Sequence, residues 1–228
     1  MGNVTPPAVG IIDRLNDILN EVLAYIVVEQ PELTARVRKD MIVVEGKLLV
    51  GPTGAWFDVY DVLLVFLPGF PNVEPLVWEV ASRVPRTADG HVFPKDGNCC
   101  LGVWEEWLIC APSHTVADFM SGPLQSYFES QTYFEMHGDW PYGQRSHGIQ
   151  GVVEAFADVL GVAPRLDLVR DHLAVLAREH HKGHHACPCG SGRRLRKCHL
   201  EQVRAMAGRV SPNMARRMLE GLPKDQPS

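Results

Sequence analysis

From residue 8 to residue 29 the chain keeps a helical rhythm, with Ile11, Ile12, Leu15, Ile18, Leu19, Val22, Leu23 and Ile26 returning to one face. The pattern predicts an amphipathic first helix, limited by Pro31. The period then changes. "MIVVEGKLLVG", "WFDVYDVLLVFL" and "PLVWEVASRV" are rich in β-branched and aromatic residues and are separated by short runs of turn residues. They predict three strands in an antiparallel meander.

Between Asp89 and Pro112 neither period holds, yet the segment is too apolar for a linker. It reads as a long structured loop, and such loops are usually functional. Helical spacing resumes over 115–130, with Thr115 as the cap and Pro123 as a break or kink. Two more helices are expected over 149–160 and 166–181, and one or two short ones over 201–223. Helix, meander, loop and helices in that order make an α+β fold, with helices against one antiparallel sheet.

Composition narrows the function classes. A net charge of -5 over 228 residues gives no general attraction to nucleic acid or to anionic membranes, so such a partner needs a local patch. No window approaches the roughly 20 apolar residues of a membrane span, and "MGNVTPPAVG" has neither the basic flank nor the apolar run of a signal peptide. A cytoplasmic location is expected. The six cysteines fall as an adjacent pair (Cys99, Cys100), a single residue (Cys110) and a cluster (Cys187, Cys189, Cys198), unlike a secreted disulfide framework. They are expected to be reduced or metal-bound.

The adjacent pair lies in "HVFPKDGNCCLGVWEEW". Together with "YDVLLVFLPGFPNVEPLVWEV", which carries Pro68, Pro71 and Pro75, and with "WLICAPSHTV", this stretch resembles the ubiquitin-conjugating enzyme family over roughly residues 8 to 160. The family's Gly-x-x-Cys-Leu run matches Gly97 to Leu101, which implies Cys100 as nucleophile and leaves Cys99 as the apolar residue before it. Thioester chemistry needs a thiol, because the acyl group stays activated while an amine can still displace it. His91, His114 and the amides of the 96–101 turn are the candidates for lowering the thiol's pKa. Loop histidines are also common structural hydrogen-bonders.

One departure from the family stands out. Its His-Pro-Asn, whose Asn stabilises the oxyanion, is here His91-Val92-Phe93. Such a donor is worth about 3 kcal/mol. Either His114, Asn98 or a backbone N–H replaces it, or the protein forms thioesters and transfers them poorly. This variant and "DWPYGQRSHG" are more similar to the bacterial branch, found in antiphage operons of the CBASS type, some beside a cGAS-like nucleotidyltransferase. The resemblance implies a partner protein with a conjugatable C-terminus, cGAS-like or ubiquitin-like, passed as a thioester to an amine on a target protein. A catalytically silent binding module on the same fold is the alternative. The chain has no Gly-rich ATP loop of its own to activate that C-terminus.

"CPCGSGRRLRKCH" supplies Cys187, Cys189, Cys198 and His199, a ligand set that satisfies a tetrahedral, structural zinc, and its spacing resembles the SEC-C motif. Gly190 and Gly192 suit a tight turn around the ion. Arg193, Arg194, Arg196 and Lys197 form a basic patch suited either to an anionic partner or to plain solvation. His180, His181, His184 and His185 are ranked as surface residues, because four ligands are already in place. The expected organisation is a conjugating-enzyme-like domain over 1–165, a connecting helix over 166–183, the zinc motif over 184–201 and a helical tail over 202–228.

Overall fold

A computed structural model describes residues 8–224. It is α+β, with one four-stranded antiparallel sheet and several helices, and it divides into two compact units. Among the described residues, the first comprises 8–104 together with Ala111–Gly143; the second comprises Glu105–Cys110 and 144–224.

In the first unit, α1 (Ala8–Glu29) buries Leu15, Ile18, Val22 and Ile26. These are four of the eight positions that the helical period selects; Ile11, Ile12 and Leu23 on the neighbouring stripe are exposed. The sheet runs β1 (Leu33–Arg38), β2 (Met41–Val50), β3 (Asp58–Phe66) and β4 (Leu76–Glu79), each strand beside its sequence neighbour. Three strands were expected, and β1 is the addition. It pairs with β2 from Leu33↔Gly46 to Arg38↔Met41. In β3 the buried positions alternate, Tyr60, Val62, Leu64 and Phe66, as a half-covered strand requires.

Behind the sheet lie α3 (Val116–Phe119) and α4 (Gln125–His137), joined by a π turn at Met120–Leu124 that contains Pro123. Pro123 cannot donate to the helical ladder, and the wider turn absorbs the missing bond without ending the helix. Thr115 caps α3 through a reciprocal box, its hydroxyl accepting from the Asp118 N–H and Asp118 accepting from the Thr115 N–H. Phe66, Phe70, Trp104 and Phe119 pack edge to face or tilted at 5.4–6.5 Å and fill the core.

The loop before α3 is partly helical, because Trp104–Cys110 forms α2. Trp104 belongs to the first unit and the rest of α2 to the second. The second unit also contains α5 (Ile149–Leu160), α6 (Leu166–Leu176), α7 (Leu200–Ala207) and α8 (Pro212–Glu220). Helix α6 stops at Leu176, five residues short of expectation. It packs on α5, α7 and α8, and the unit's core draws on Val169, Leu173, Leu176, Leu195, Val203 and Met218. Among the described residues no helix is long and apolar enough to cross a membrane.

Candidate functional sites

In the first unit, residues 91–100 form a tight hairpin laid beside the end of the sheet. Val92 and Cys99 face each other in an isolated bridge, the Phe93 N–H donates to the Asn98 carbonyl at 2.9 Å, and the Cys99 N–H donates to the Val77 carbonyl at 2.7 Å. Gly97 turns the chain at φ +74°, and an added Cβ would lie 3.0 Å from the Arg86 guanidinium carbon. The hairpin gives the two cysteines opposite fates. Cys99 is 3% exposed, and burial pushes its thiol up to about 11. Cys100 is only partly covered. Burial raises its pKa as well; the Gly102 N–H that bonds the sulfur offsets part of this, and the Glu74 carboxylate adds to it.

His91 reaches Cys100 through its main chain: its carbonyl accepts from the Cys100 N–H at 2.8 Å and from the Tyr127 hydroxyl at 3.2 Å. The residue is held at φ +53°, a left-handed conformation that costs a non-glycine residue about 1–3 kcal/mol. Gln131 on α4 supports the preceding peptide by donating to the Gly90 carbonyl at 2.8 Å. The His91 ring packs edge-on against Trp140, 4.5 Å between centroids, and Trp140 stacks on Phe134. His114 immediately precedes Thr115, the residue that caps α3. Asn98 joins the hairpin through its carbonyl. Glu74 is the group that sequence reasoning missed, since only folding brings the turn before β4 near the thiol.

In the second unit, Cys187, Cys189, Cys198 and His199 converge, their ligand atoms all within 4.8 Å of one another. Cys187 Sγ and Cys198 Sγ each lie 3.3 Å from His199 Nδ1, and Cys189 Sγ lies 3.6 Å from Cys198 Sγ. A tetrahedron with Zn–S of about 2.3 Å has edges of roughly 3.5–3.8 Å, so the cluster fits a zinc site through Nδ1. The local fold explains the spacing. Ala186 bridges Arg194, the Cys187 N–H donates to the Arg193 carbonyl at 2.9 Å, and Gly190 and Gly192 turn the loop at φ +76° and +70°. A single 3-10 turn, Leu195–Lys197, then returns the chain to Cys198, and His199 caps α7.

Ser191 sits among the thiols, its Oγ 3.2 Å from Cys189 Sγ and 3.5 Å from Cys198 Sγ. Its hydroxyl, with its N–H second, lowers Cys189 to about 6, toward the thiolate that a metal binds. The family model for the SEC-C motif matches residues 186–201. That span holds all four ligands. No curated protein and no solved structure matches the chain.

Proposed function

We propose that the first unit is a ubiquitin-conjugating-like acyl transferase with Cys100 as its nucleophile. One observation carries the reading: of two adjacent cysteines, the hairpin buries Cys99 and leaves Cys100 accessible at its closing end. In the reaction, the Cys100 thiol loses its proton to solvent, its sulfur attacks the activated C-terminal carboxyl carbon of a partner protein, and the activating group is expelled as a thioester forms. A target amine then attacks the same carbon, the C–S bond breaks, and the sulfur leaves as thiolate while the amine loses a proton. Activation of the carboxyl comes from another protein. A cGAS-like nucleotidyltransferase or a ubiquitin-like protein is the partner that the family likeness suggests, with antiphage defence as the setting and the cytoplasm as the place.

No Asn stands at the family's oxyanion position, and the Gly102 N–H, already aimed at the Cys100 sulfur, is the main-chain donor proposed to help instead. His91 acts by positioning, through the carbonyl that holds the Cys100 N–H, and His114 is kept as a candidate for lowering the thiol's pKa or for replacing the oxyanion donor. In the second unit we assign the ion to zinc in a structural role, since four protein ligands leave no open position.

A binding-module reading is favoured by a specific observation, the raised Cys100 thiol, which keeps the nucleophile protonated at neutral pH. The two are separated by mixing the protein, the partner and its activating enzyme, and running a non-reducing gel. The transferase predicts a reductant-sensitive adduct that is lost in Cys100→Ala, becomes a reductant-resistant oxyester in Cys100→Ser and persists in Cys99→Ala. Adduct lost only in Cys99→Ala would move the nucleophile by one residue. A complex that co-migrates in size-exclusion without any adduct would establish the binding module.

A further inference from the structure

Helix α4 turns one face toward the segment that enters the hairpin. Tyr127, Gln131 and Phe134 follow one another at i, i+4 and i+7, and each is tied to residues 90–91. The buried Tyr127 hydroxyl donates to the His91 carbonyl at 3.2 Å, and the buried Gln131 amide donates to the Gly90 carbonyl at 2.8 Å. Phe134 acts at one remove. Gly138 caps the helix at φ +75° and turns the chain back, so that Trp140 stacks on Phe134 at 4.5 Å and the His91 ring packs edge-on against Trp140.

These contacts fix a residue that local preference would release. His91 is left-handed at φ +53°. The Gly90 carbonyl belongs to the peptide before it and the His91 carbonyl to the peptide after it, and the two dihedrals of His91 are set by those two planes. Gln131 therefore pins one plane and Tyr127 the other. The turn leaves Gly90 no room to move, since a Cβ there would lie 2.5 Å from the Pro85 carbonyl oxygen. The His91 carbonyl is the point of transmission, because it also accepts the Cys100 N–H at 2.8 Å. The Tyr127 hydroxyl bonds the Cys99 sulfur as well, and burial holds its pKa above the ordinary value, so it remains a donor at neutral and mildly alkaline pH.

We propose that Tyr127 and Gln131 are positioning residues for Cys100, holding His91 left-handed from both sides and so fixing the main chain that carries the thiol. Without them His91 relaxes toward an ordinary conformation and its carbonyl turns away from the Cys100 N–H. The hairpin then opens at its closing end, and the thiol is both uncovered and misplaced. The inference rests on the reading of Cys100 as the reactive thiol. The role given to α4 is measured on that thiol's own reactivity, for which no partner protein is needed.

The test is alkylation of the full chain by iodoacetamide from neutral pH to about pH 10, read at each cysteine by peptide mass spectrometry. Tyr127→Phe and, separately, Gln131→Met should speed labelling of Cys100 by ~3-fold or more at pH 8 and move the midpoint of its pH profile down, because an uncovered thiol sheds part of the burial that raises it. Either variant suffices where the other fails to fold. Cys99 should stay protected, and the exposed Cys110 should change by less than ~2-fold. Tyr133→Phe, at an exposed position of α4, is the control and should match the parent. General loosening of the unit would instead label Cys99 and Cys100 together. The proposal is overturned by that result, by an unchanged Cys100 profile in the folded variants, or by an equal shift in Tyr133→Phe. Failure of the transferase reading is separable: a parent chain that forms no partner adduct leaves the labelling comparison intact, whereas unchanged labelling in an adduct-forming protein removes the role of α4 alone.

Discussion

Cutting the chain after Gly183 removes the knuckle, α7 and α8, and the structure says what that does to the part left behind. Helix α6 buries Val169, Leu173 and Leu176 at 0–1% exposure and packs on α7 and α8 as well as on α5. Covering a Val or Leu side chain contributes about 1.5–3 kcal/mol, so exposing these three costs up to about 5–9 kcal/mol, comparable with the whole stability of a domain. What remains of the unit is two helices of 12 and 11 residues and a piece of α2. With Glu105–Cys110 and residues 144–183 it keeps 46 residues, only just above the roughly 40 below which isolated domains usually need a metal or disulfides. The first unit keeps its own core. Hydrogen exchange on the truncated protein should therefore show full protection over β2, β3 and α4, and exchange at unfolded-chain rates over 149–176. Native-like protection across α5 and α6 in the truncated chain would refute the reasoning.

Other outcomes can be checked on single variants. Cys187→Ser with Cys189→Ser should drop bound zinc from about one per chain to near zero, measured by mass spectrometry of the metal, and lower the melting temperature of the second unit. Cys99→Ala should cost ~1 kcal/mol in a denaturant melt, as trimming a small buried side chain does. Because burial raises the Cys100 thiol, its alkylation by iodoacetamide should still be accelerating at pH 9, the ordinary value for a cysteine; a plateau at or below neutral pH would show an activated thiolate. Burial opposes the charge on Asp58, but Arg83, Thr132 and the Val59 N–H outweigh it and hold the carboxyl low. The stability that this group contributes is complete above its unfolded pKa of about 3.9 and disappears as pH falls through the lower folded value. Asp58→Asn should flatten the first unit's stability profile in that acid window, read by urea melts from pH 5 downward.

What could be read from the sequence was whatever local rules decide. Helix α1 shows its period, Thr115 its cap, Pro123 the irregular turn between α3 and α4, and the knuckle its ligand spacing. Strand β1 escaped because "LTARVR" is an edge: only Leu33 is fully buried, and the arginines that discourage edge-to-edge pairing also erase the apolar alternation. Helix α2 was hidden in an irregular stretch, although Glu105 and Glu106 in its first turn are a legible N-terminal signal. That α5 and α6 share a unit with the tail was not legible at all, since it depends on the meeting of α6 with α8. At the candidate cysteine, the different burial of the pair follows from the hairpin, whereas the carboxylate pressing on the thiol comes from a distant turn that no local rule connects to it.

The second unit recruits Glu105–Cys110 from the middle of the chain, and this sets a schedule for a protein made from its N-terminus onward. Glu105 accepts a hydrogen bond from Arg217 Nε at 2.6 Å across 112 residues, and Glu106 accepts one from Arg145 Nη2 at 2.9 Å. At about 5–20 residues per second, Glu105 waits roughly 6–22 seconds on the ribosome before Arg217 exists. In that interval the sheet and the hairpin bearing Cys100 have every residue they need, while the segment that follows them has none of its partners. A free fragment ending near residue 145 is therefore expected to carry a folded first unit with α2 beyond Trp104 still unformed.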